Sequence, residues 1–489
     1  MTGRVAARHD GAADAGAAPT HRAGLAAGLD ENASPLAERS AAEGRHAVSG
    51  DGVARVALVF PYFRTRAPTE MLFPPLGLAA LAAQLRALGV ETKVFDCTFG
   101  TFEQLGRELS AYGPRIVGIS SMVSLTRSTL RVAEMVRASL PGSLLVAGGP
   151  LPTVFPRRYT QHFDAVFRGE ADVSFPRFCL DYFARGATPG ALGDLSLSTY
   201  GGLFVDRDGL QVDNPPVHHP ESELATFPLP DRSDFDHAAY QREWLQKSGS
   251  RPTSIITTLG CPYGCEFCSK PIFGNVVRRR DLDTVFAEIA QVRGLGYDAL
   301  WIADDTLTLD VPYLREFCRR IAGTGMRWSC LSRANGIDEA SARMMKESGC
   351  RRVYLGLESG SQATLDLMKK QVTVEDGSRA AWLYRDAGIE VAAFFIVGYP
   401  GETEASIEKT FRLALDLPLD EISFNVPMPL PGSELWERLG APDEGLDWSR
   451  ENEVTFVFDS DIDEPWLRRR IDETMAAFAE QTKPTIAAP

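Results

Sequence analysis

From Arg55 onward the chain alternates short apolar runs of strand length with segments whose apolar residues recur at helical spacing. Val56-Ala-Leu-Val-Phe60 is one such run. It is followed by Pro75 to Leu88, where Leu78, Leu81, Leu85 and Leu88 fall on one helical face and Gly89 can end the helix. Thr92 to Phe95, Ile116 to Ile119, Leu144 to Ala147 and Ala165 to Phe167 continue the series. Strand, helix, strand at this spacing specifies a parallel, doubly wound sheet over about residues 51–185. In such sheets ligands sit beyond the carboxyl ends of the strands, where small residues let the backbone approach. Gly118-Ile-Ser120-Ser121 and Gly148-Gly149-Pro150 are loops of that kind. The alternation resumes over about 246–445.

The intervening segment, 186–245, is thick with Pro and Gly and reads as a connector. Its adjacent His218 and His219 point two ways and read as a solvated loop rather than a metal site. Residues 446–489 form a short tail with one amphipathic helix over Trp466 to Phe478. The first fifty residues contain 22 Ala and Gly, and no aromatic residue precedes Phe60. Such a stretch buries too little apolar surface to offset its ordering entropy, so a disordered leader over 1–50 is expected.

Composition excludes several classes. With 51 Lys and Arg against 65 Asp and Glu, the net charge is −14, which repels nucleic acid and anionic membranes. No apolar run approaches the roughly 20 residues of a membrane span. Eight scattered cysteines without a signal peptide do not make a disulfide framework. The expected compartment is the cytoplasm.

Cys261-Pro-Tyr-Gly-Cys265-Glu-Phe-Cys268 is the sharpest chemical signal. Thiolates are the soft ligands an iron–sulfur cluster requires, and three of them leave one iron of a [4Fe–4S] cluster open to a chelating small molecule. Structural zinc takes four protein ligands. No His follows His237, and Cys318, Cys330 and Cys350 are isolated along the chain and read as core residues. A redox pair would leave the third cysteine without a task.

The CxxxCxxC spacing, with the aromatic Phe267 before its last cysteine, resembles the radical SAM superfamily. Downstream runs Ala299 to Asp305, Trp328 to Arg333, Arg352 to Gly360, Val391 to Pro400 and Ile422 to Pro427 fit that family's partial (β/α)6 barrel. The resemblance implies that Cys261, Cys265 and Cys268 ligate the cluster and that S-adenosylmethionine (SAM) chelates the open iron. It further implies that Phe267, Arg333, Glu358, Ser359 and Gly398 contact SAM, and that Glu358, Asp304 and Asp305 serve catalysis. Reductive cleavage of SAM would yield a 5′-deoxyadenosyl radical that abstracts hydrogen from the substrate.

The first unit resembles the cobalamin-binding domain fused to many radical SAM enzymes. The resemblance rests on Pro74-Pro-Leu-Gly77, Val117 to Ser121, Gly148 to Thr153 and Phe167-Arg-Gly-Glu170. It implies cobalamin contacts at Ser120, Ser121, Gly148, Gly149 and Pro150. One departure stands out. Thr98 occupies the position of the cobalt-ligating His in the DxHxxG pattern begun by Asp96.

The expectation is therefore a radical SAM enzyme using a [4Fe–4S] cluster, SAM and cobalamin for C-methylation of a small molecule in secondary metabolism. An external electron donor of the flavodoxin or ferredoxin class, or a dedicated reductase, would serve it, with no nucleic acid or membrane partner. The alternatives are a radical SAM dehydratase, deoxygenase or rearrangement enzyme, and a non-catalytic corrinoid or cluster sensor.

Overall fold

The computed structural model describes residues 54–64, 72–207, 209–269, 272–440 and 456–482. The chain divides into two units, Met1–His46 and Ala47–Pro489, and the described residues belong to the second. The expected leader and the start of the tail lie outside the described residues.

A seven-stranded sheet of order β2-β1-β3-β4-β5-β6-β7 forms the first half. Its strands are β1 (Arg55–Phe60), β2 (Glu91–Asp96), β3 (Ile116–Ser120), β4 (Leu144–Gly148), β5 (Ala165–Phe167), β6 (Leu203–Arg207) and β7 (Leu210–Asp213). The first five pair in parallel. Continuous apolar runs make these strands because both faces are covered. Val56 and Leu58 point into one core with Leu144 and Val146, whereas Ala57 and Val59 point into the other with Leu145 and Ala147. Strand order reverses around β1, so the crevice between β1 and β3 is a switch point where ligands enter. The helix after β1 spans Leu76–Ala87; Leu88 falls outside it and is exposed.

Residues 203–213, within the segment read as a connector, add an antiparallel hairpin to this sheet. Leu203, Phe204 and Val205 are buried there. His219 is buried too, against the expectation of a solvated loop: its ring pairs with Glu223 at 2.9 Å and its backbone N–H donates to Glu170.

The second half is an open sheet of six parallel strands, ordered β15-β14-β13-β12-β11-β8. They are β8 (Pro252–Ile255), β11 (Ala299–Ile302), β12 (Arg327–Ser332), β13 (Cys350–Glu358), β14 (Glu390–Ile396) and β15 (Glu421–Asn425). Every second residue enters a core shared with the surrounding helices, as in Val353, Leu355, Val391, Ala393 and Phe395. The Cys318, Cys330 and Cys350 side chains lie in that core, as expected. Before the cysteines, Thr253 to Leu259 does not form one continuous strand. After β8 the chain leaves the sheet as β9 (Thr258–Leu259), which pairs antiparallel with β10 (Arg278–Arg279).

The tail helix spans Glu464–Gln481, capped by the Asp463 carboxylate on the Trp466 N–H at 3.0 Å. Among the described residues no helix is long and apolar enough to cross a membrane.

Candidate active site at two facing sets of strand ends

The three cysteines lie on the loop between β9 and β10, and that loop is held from several sides. Cys261 is half-buried, Cys265 buried and Cys268 exposed, and none is in a disulfide. Between them, the Glu266 N–H donates to the Met368 carbonyl and its own carbonyl accepts from Leu435, both at 2.9 Å. The Glu266 carboxylate accepts from Tyr399 Oη at 2.5 Å and from Arg438 Nε at 2.7 Å. Burial acts to raise this carboxyl, but the Arg438 guanidinium and the Tyr399 hydroxyl outweigh it and hold it below the usual carboxylate range. Sequence reasoning passed over Glu266 as a spacer.

Arg333, just beyond β12, lies flat over the Tyr263 ring with Cζ 3.6 Å from the centroid. It donates to Cys265 Sγ at 3.5 Å and to the Lys370 carbonyl. The expectation for it is a contact with SAM; it lies beside a thiol, with much of its fork committed to the cysteine loop and its surroundings.

Glu358 sits at a register break of β13 against β14 and has φ +62°. A non-glycine residue in that region is strained, and strain of this kind concentrates at functional sites. Its Oε1 accepts from Lys370 Nζ at 2.6 Å, with both side chains nearly excluded from solvent. The pair lies over Gly356, where a Cβ would come within 2.5 Å of Glu358 Oε1 and 2.9 Å of Lys370 Nζ. Lys370 Nζ is also 5.9 Å from the Phe267 centroid, which brings the pair beside Cys268. Sequence reasoning missed Lys370, because one lysine of an adjacent pair reads as surface charge.

Other expected site residues have structural occupations. Asp304 is buried, and its carboxylate accepts from the backbone N–H and hydroxyl of both Thr257 and Thr258. It ties β11 to the strand entering the cysteine loop through four hydrogen bonds, three of them on Oδ2, and burial raises its pKa to about 6. Asp305 is exposed beside Gly260 and stays available. The Ser359 hydroxyl is buried between Thr410 Oγ1 (3.0 Å) and the Ser361 N–H (3.1 Å), so it closes a turn instead of facing a ligand. Gly398 has φ +79°, and the side where a Cβ would project is taken by Phe456 (2.7 Å) and Leu467 (3.1 Å) of the tail. Its glycine is demanded by backbone and packing. Four residues on, Glu402 accepts from the Tyr399 N–H and from Thr364 Oγ1, and burial lifts its carboxyl to about 7.

Across from this loop, the carboxyl ends of β1, β3, β4 and β5 enclose a largely apolar cavity of about 620 Å³. Ser120, Gly148, Gly149 and Pro150 line it as expected. Ser121 does not: its hydroxyl is buried against Tyr159 Oη at 2.7 Å and accepts from Thr129. Gly149, at φ +102°, leaves no room for a side chain, since a Cβ would stand 2.7 Å from the Ser121 carbonyl. Near the end of β2, Thr98 donates to Asp96 at 2.6 Å, and Tyr240 Oη donates to Asp96 at 2.7 Å and lies 2.9 Å from Thr98 Oγ1. Burial raises the Asp96 carboxyl despite these hydrogen bonds. Thr98 is thus sealed in a network and presents no metal ligand.

The two sets of strand ends meet. Glu170, after β5, makes a bidentate pair with Arg278 of β10 at 2.8 and 2.5 Å. Arg278 also donates to the carbonyls of His219 and Phe273, and Ile272 and Phe273 line the cavity. One short segment therefore borders both the cavity and the cysteine loop.

The donor set fits an iron–sulfur cluster: three thiols within eight residues, with a cationic group against one sulfur. Among the described residues no three or more His, Cys, Asp or Glu are gathered for a single metal ion. The cavity fits an organic group inserted at the switch point, since its lining is mostly apolar and Gly118, Gly148 and Gly149 let backbone border it.

A family model described as the radical SAM superfamily matches residues 255–414, and one for the B12-binding domain matches 66–178. The chain thus carries a radical SAM domain and a B12-binding domain. It is similar to an uncharacterised methyltransferase of Pyrococcus horikoshii, 29% identical over 79% of this chain and 83% of that one. It is also similar to the cytidylyl-2-hydroxyethylphosphonate methyltransferase of Streptomyces wedmorensis, 27% identical over 74% of this chain and 77% of that one. The fold matches the radical SAM methyltransferase TsrM from Kitasatospora setae, solved with cobalamin and a [4Fe–4S] cluster. The TM-score there is 0.67 at 19% identity, covering 79% of this chain and 78% of that chain.

Proposed function

We propose that this radical SAM protein methylates carbon in a small molecule, using a [4Fe–4S] cluster, SAM and cobalamin. The observation that carries the reading is the shared segment around Ile272, Phe273 and Arg278, which follows the cysteines in one loop and also lines the apolar cavity of the first half. When bound, these groups supply an electron, a hydrogen-abstracting carbon radical and a transferable methyl group.

The chain's own residues divide the remaining work. Cys261, Cys265 and Cys268 hold the cluster, and Arg333 fixes the loop while placing positive charge against Cys265. Glu358 and Lys370 offer one charge of each sign in a water-poor setting, matching the ammonium and carboxylate of the methionine half of SAM. Their mutual pairing keeps either charge from standing alone when SAM is absent. Phe267 and the Gly398 turn wall that space. Ser120, Gly148, Gly149 and Pro150 form the apolar rim that receives the corrinoid, and Thr98 leaves its metal without a protein imidazole. No His lies in the second half of the chain, so protons there move through Asp305, Lys, Tyr or water. A flavodoxin- or ferredoxin-class donor provides the electron.

The test is product analysis on anaerobic protein reconstituted with iron, sulfide and hydroxocobalamin, then given SAM and reductant. Retained corrinoid bands, with 5′-deoxyadenosine and S-adenosylhomocysteine formed together on turnover, are expected. 5′-Deoxyadenosine alone would replace methyl transfer by the dehydratase or rearrangement alternative. Failure to cleave SAM at all would leave a sensor.

A further inference from the structure

A closed (β/α) barrel fills its interior with layers of side chains. The open second sheet does not. Outward-facing Leu300, Ile302, Val353, Leu355, Ala393 and Phe395 are buried in the main core. The inward-facing large residues between them, Trp301, Tyr354 and Phe394, are only half-buried.

Trp301 and Phe394 have small neighbours in register, whereas Tyr354 stands between Leu331 and Ala392. Trp301 stands between Ser254 and Ser329, and Phe394 between Gly356 and Ser423. The serines leave room beside Trp301 and on one side of Phe394, whereas the Gly356 side is taken by the Glu358–Lys370 pair. Trp301 meets Tyr354 edge-on at 4.8 Å, and Tyr354 stacks on Phe394 at 5.8 Å. Phe73, whose ring also borders the cavity of the first half, lies parallel to Trp301 at 6.4 Å. The Glu358–Lys370 pair closes the top of this space over Gly356.

We propose that this inner face is the substrate slot and that the substrate carries a flat, apolar ring, aromatic or conjugated. The inference rests on the functional reading above and names its substrate class. Half-exposed aromatic surface is stabilised by covering it, and a flat ring can do so by offset stacking where a puckered one cannot. Charge argues the same way. The cations on this face are already neutralised, Arg352 by Glu390 and Glu421, and Lys370 by Glu358. An anionic substrate would meet cations that are already paired.

The probe pair is 2-naphthol and its saturated counterpart decahydro-2-naphthol, which share a hydroxyl and carbon skeleton and are both neutral at pH 7. Calorimetric titration of the full chain should show 2-naphthol binding at least about tenfold more tightly. Phe394→Ala should weaken it by about tenfold, and Ser329→Leu, which fills a slot without removing a ring, should abolish it. Equal affinity for the two probes would overturn the proposal. So would binding indifferent to Ser329→Leu, or displacement of 2-naphthol by hydroxocobalamin, which would assign the rings to the corrin. The two readings fail separately. Protein that cleaves SAM but ignores 2-naphthol sinks only the slot, whereas protein that takes no cluster sinks the enzymatic reading.

Discussion

The two sets of strand ends face each other but work by opposite physics. The first sheet ends in Gly118, Gly148 and Gly149 around an apolar cavity, and recognises by shape and by the absence of side chains. The second ends in thiols, a buried Glu358–Lys370 pair and Arg333, and what it offers a ligand is charge and soft donors. Shape tolerates substitution until atoms collide. Charge in a water-poor site fails as soon as one partner is lost.

Four experiments would break or sharpen that contrast. The largest effect belongs to Cys265→Ala. SAM cleavage should fall below about a thousandth of the parent rate, about 4 kcal/mol, while hydroxocobalamin retention in the visible spectrum persists. If corrinoid and iron disappear together, the two sites are not separable.

Lys370→Met comes next. It leaves the Glu358 carboxylate buried without a partner, which should cost about 3–5 kcal/mol in denaturant unfolding. Adding Glu358→Gln should recover much of that stability, but not the SAM affinity measured by equilibrium dialysis.

Gly149→Val should act on the other side alone. A β-branched residue at that positive φ strains the backbone by about 1–3 kcal/mol and pushes on the Ser121 carbonyl. Corrinoid retention should drop by about tenfold or more while iron and sulfide content stays at the parent level.

The smallest effect is a pH dependence. Burial raises the Glu402 carboxyl from its ordinary value to about 7, so the folded state holds its proton more tightly than the unfolded chain. Its contribution to stability is complete in acid and is lost as pH rises from about 4.5 through 7. Glu402→Gln should flatten the unfolding curve over that window by at most about 3 kcal/mol. An unchanged slope would mean that another group carries it.

Much of this was legible along the chain. The strands of both parallel sheets announce themselves as short apolar runs, because strands covered on both faces need apolar residues on both. The cysteine triplet is a local pattern set by ligand chemistry. The hairpin of β6 and β7 was not legible, since Leu203 to Val205 is a short run in Pro- and Gly-rich surroundings and gains its burial from a distant sheet edge. Asp304, Ser359 and Ser121 illustrate a second limit. Each has the right residue type at the right strand end, yet its polar atoms are taken by Thr257 and Thr258, by Thr410, and by Tyr159. Whether a side chain turns toward a ligand or back to the backbone depends on partners far away in the chain. Lys370 was missed for the converse reason: its ammonium is buried by Glu358, twelve residues earlier and on another element.

By itself, the order of residues determined the two parallel sheets, the cysteine ligand set and the glycines that keep the first cavity open. Each of these is written within a window of a few residues, where periodicity, thiol spacing and the lack of a Cβ act locally. Folding alone decided which polar groups remain for chemistry, how Glu170 and Arg278 bind the two strand-end sites into one, and that Trp301, Tyr354 and Phe394 share an inner face. Those outcomes depend on hydrogen bonds, ion pairs and ring contacts between segments far apart in the chain, and only close packing brings such partners within reach.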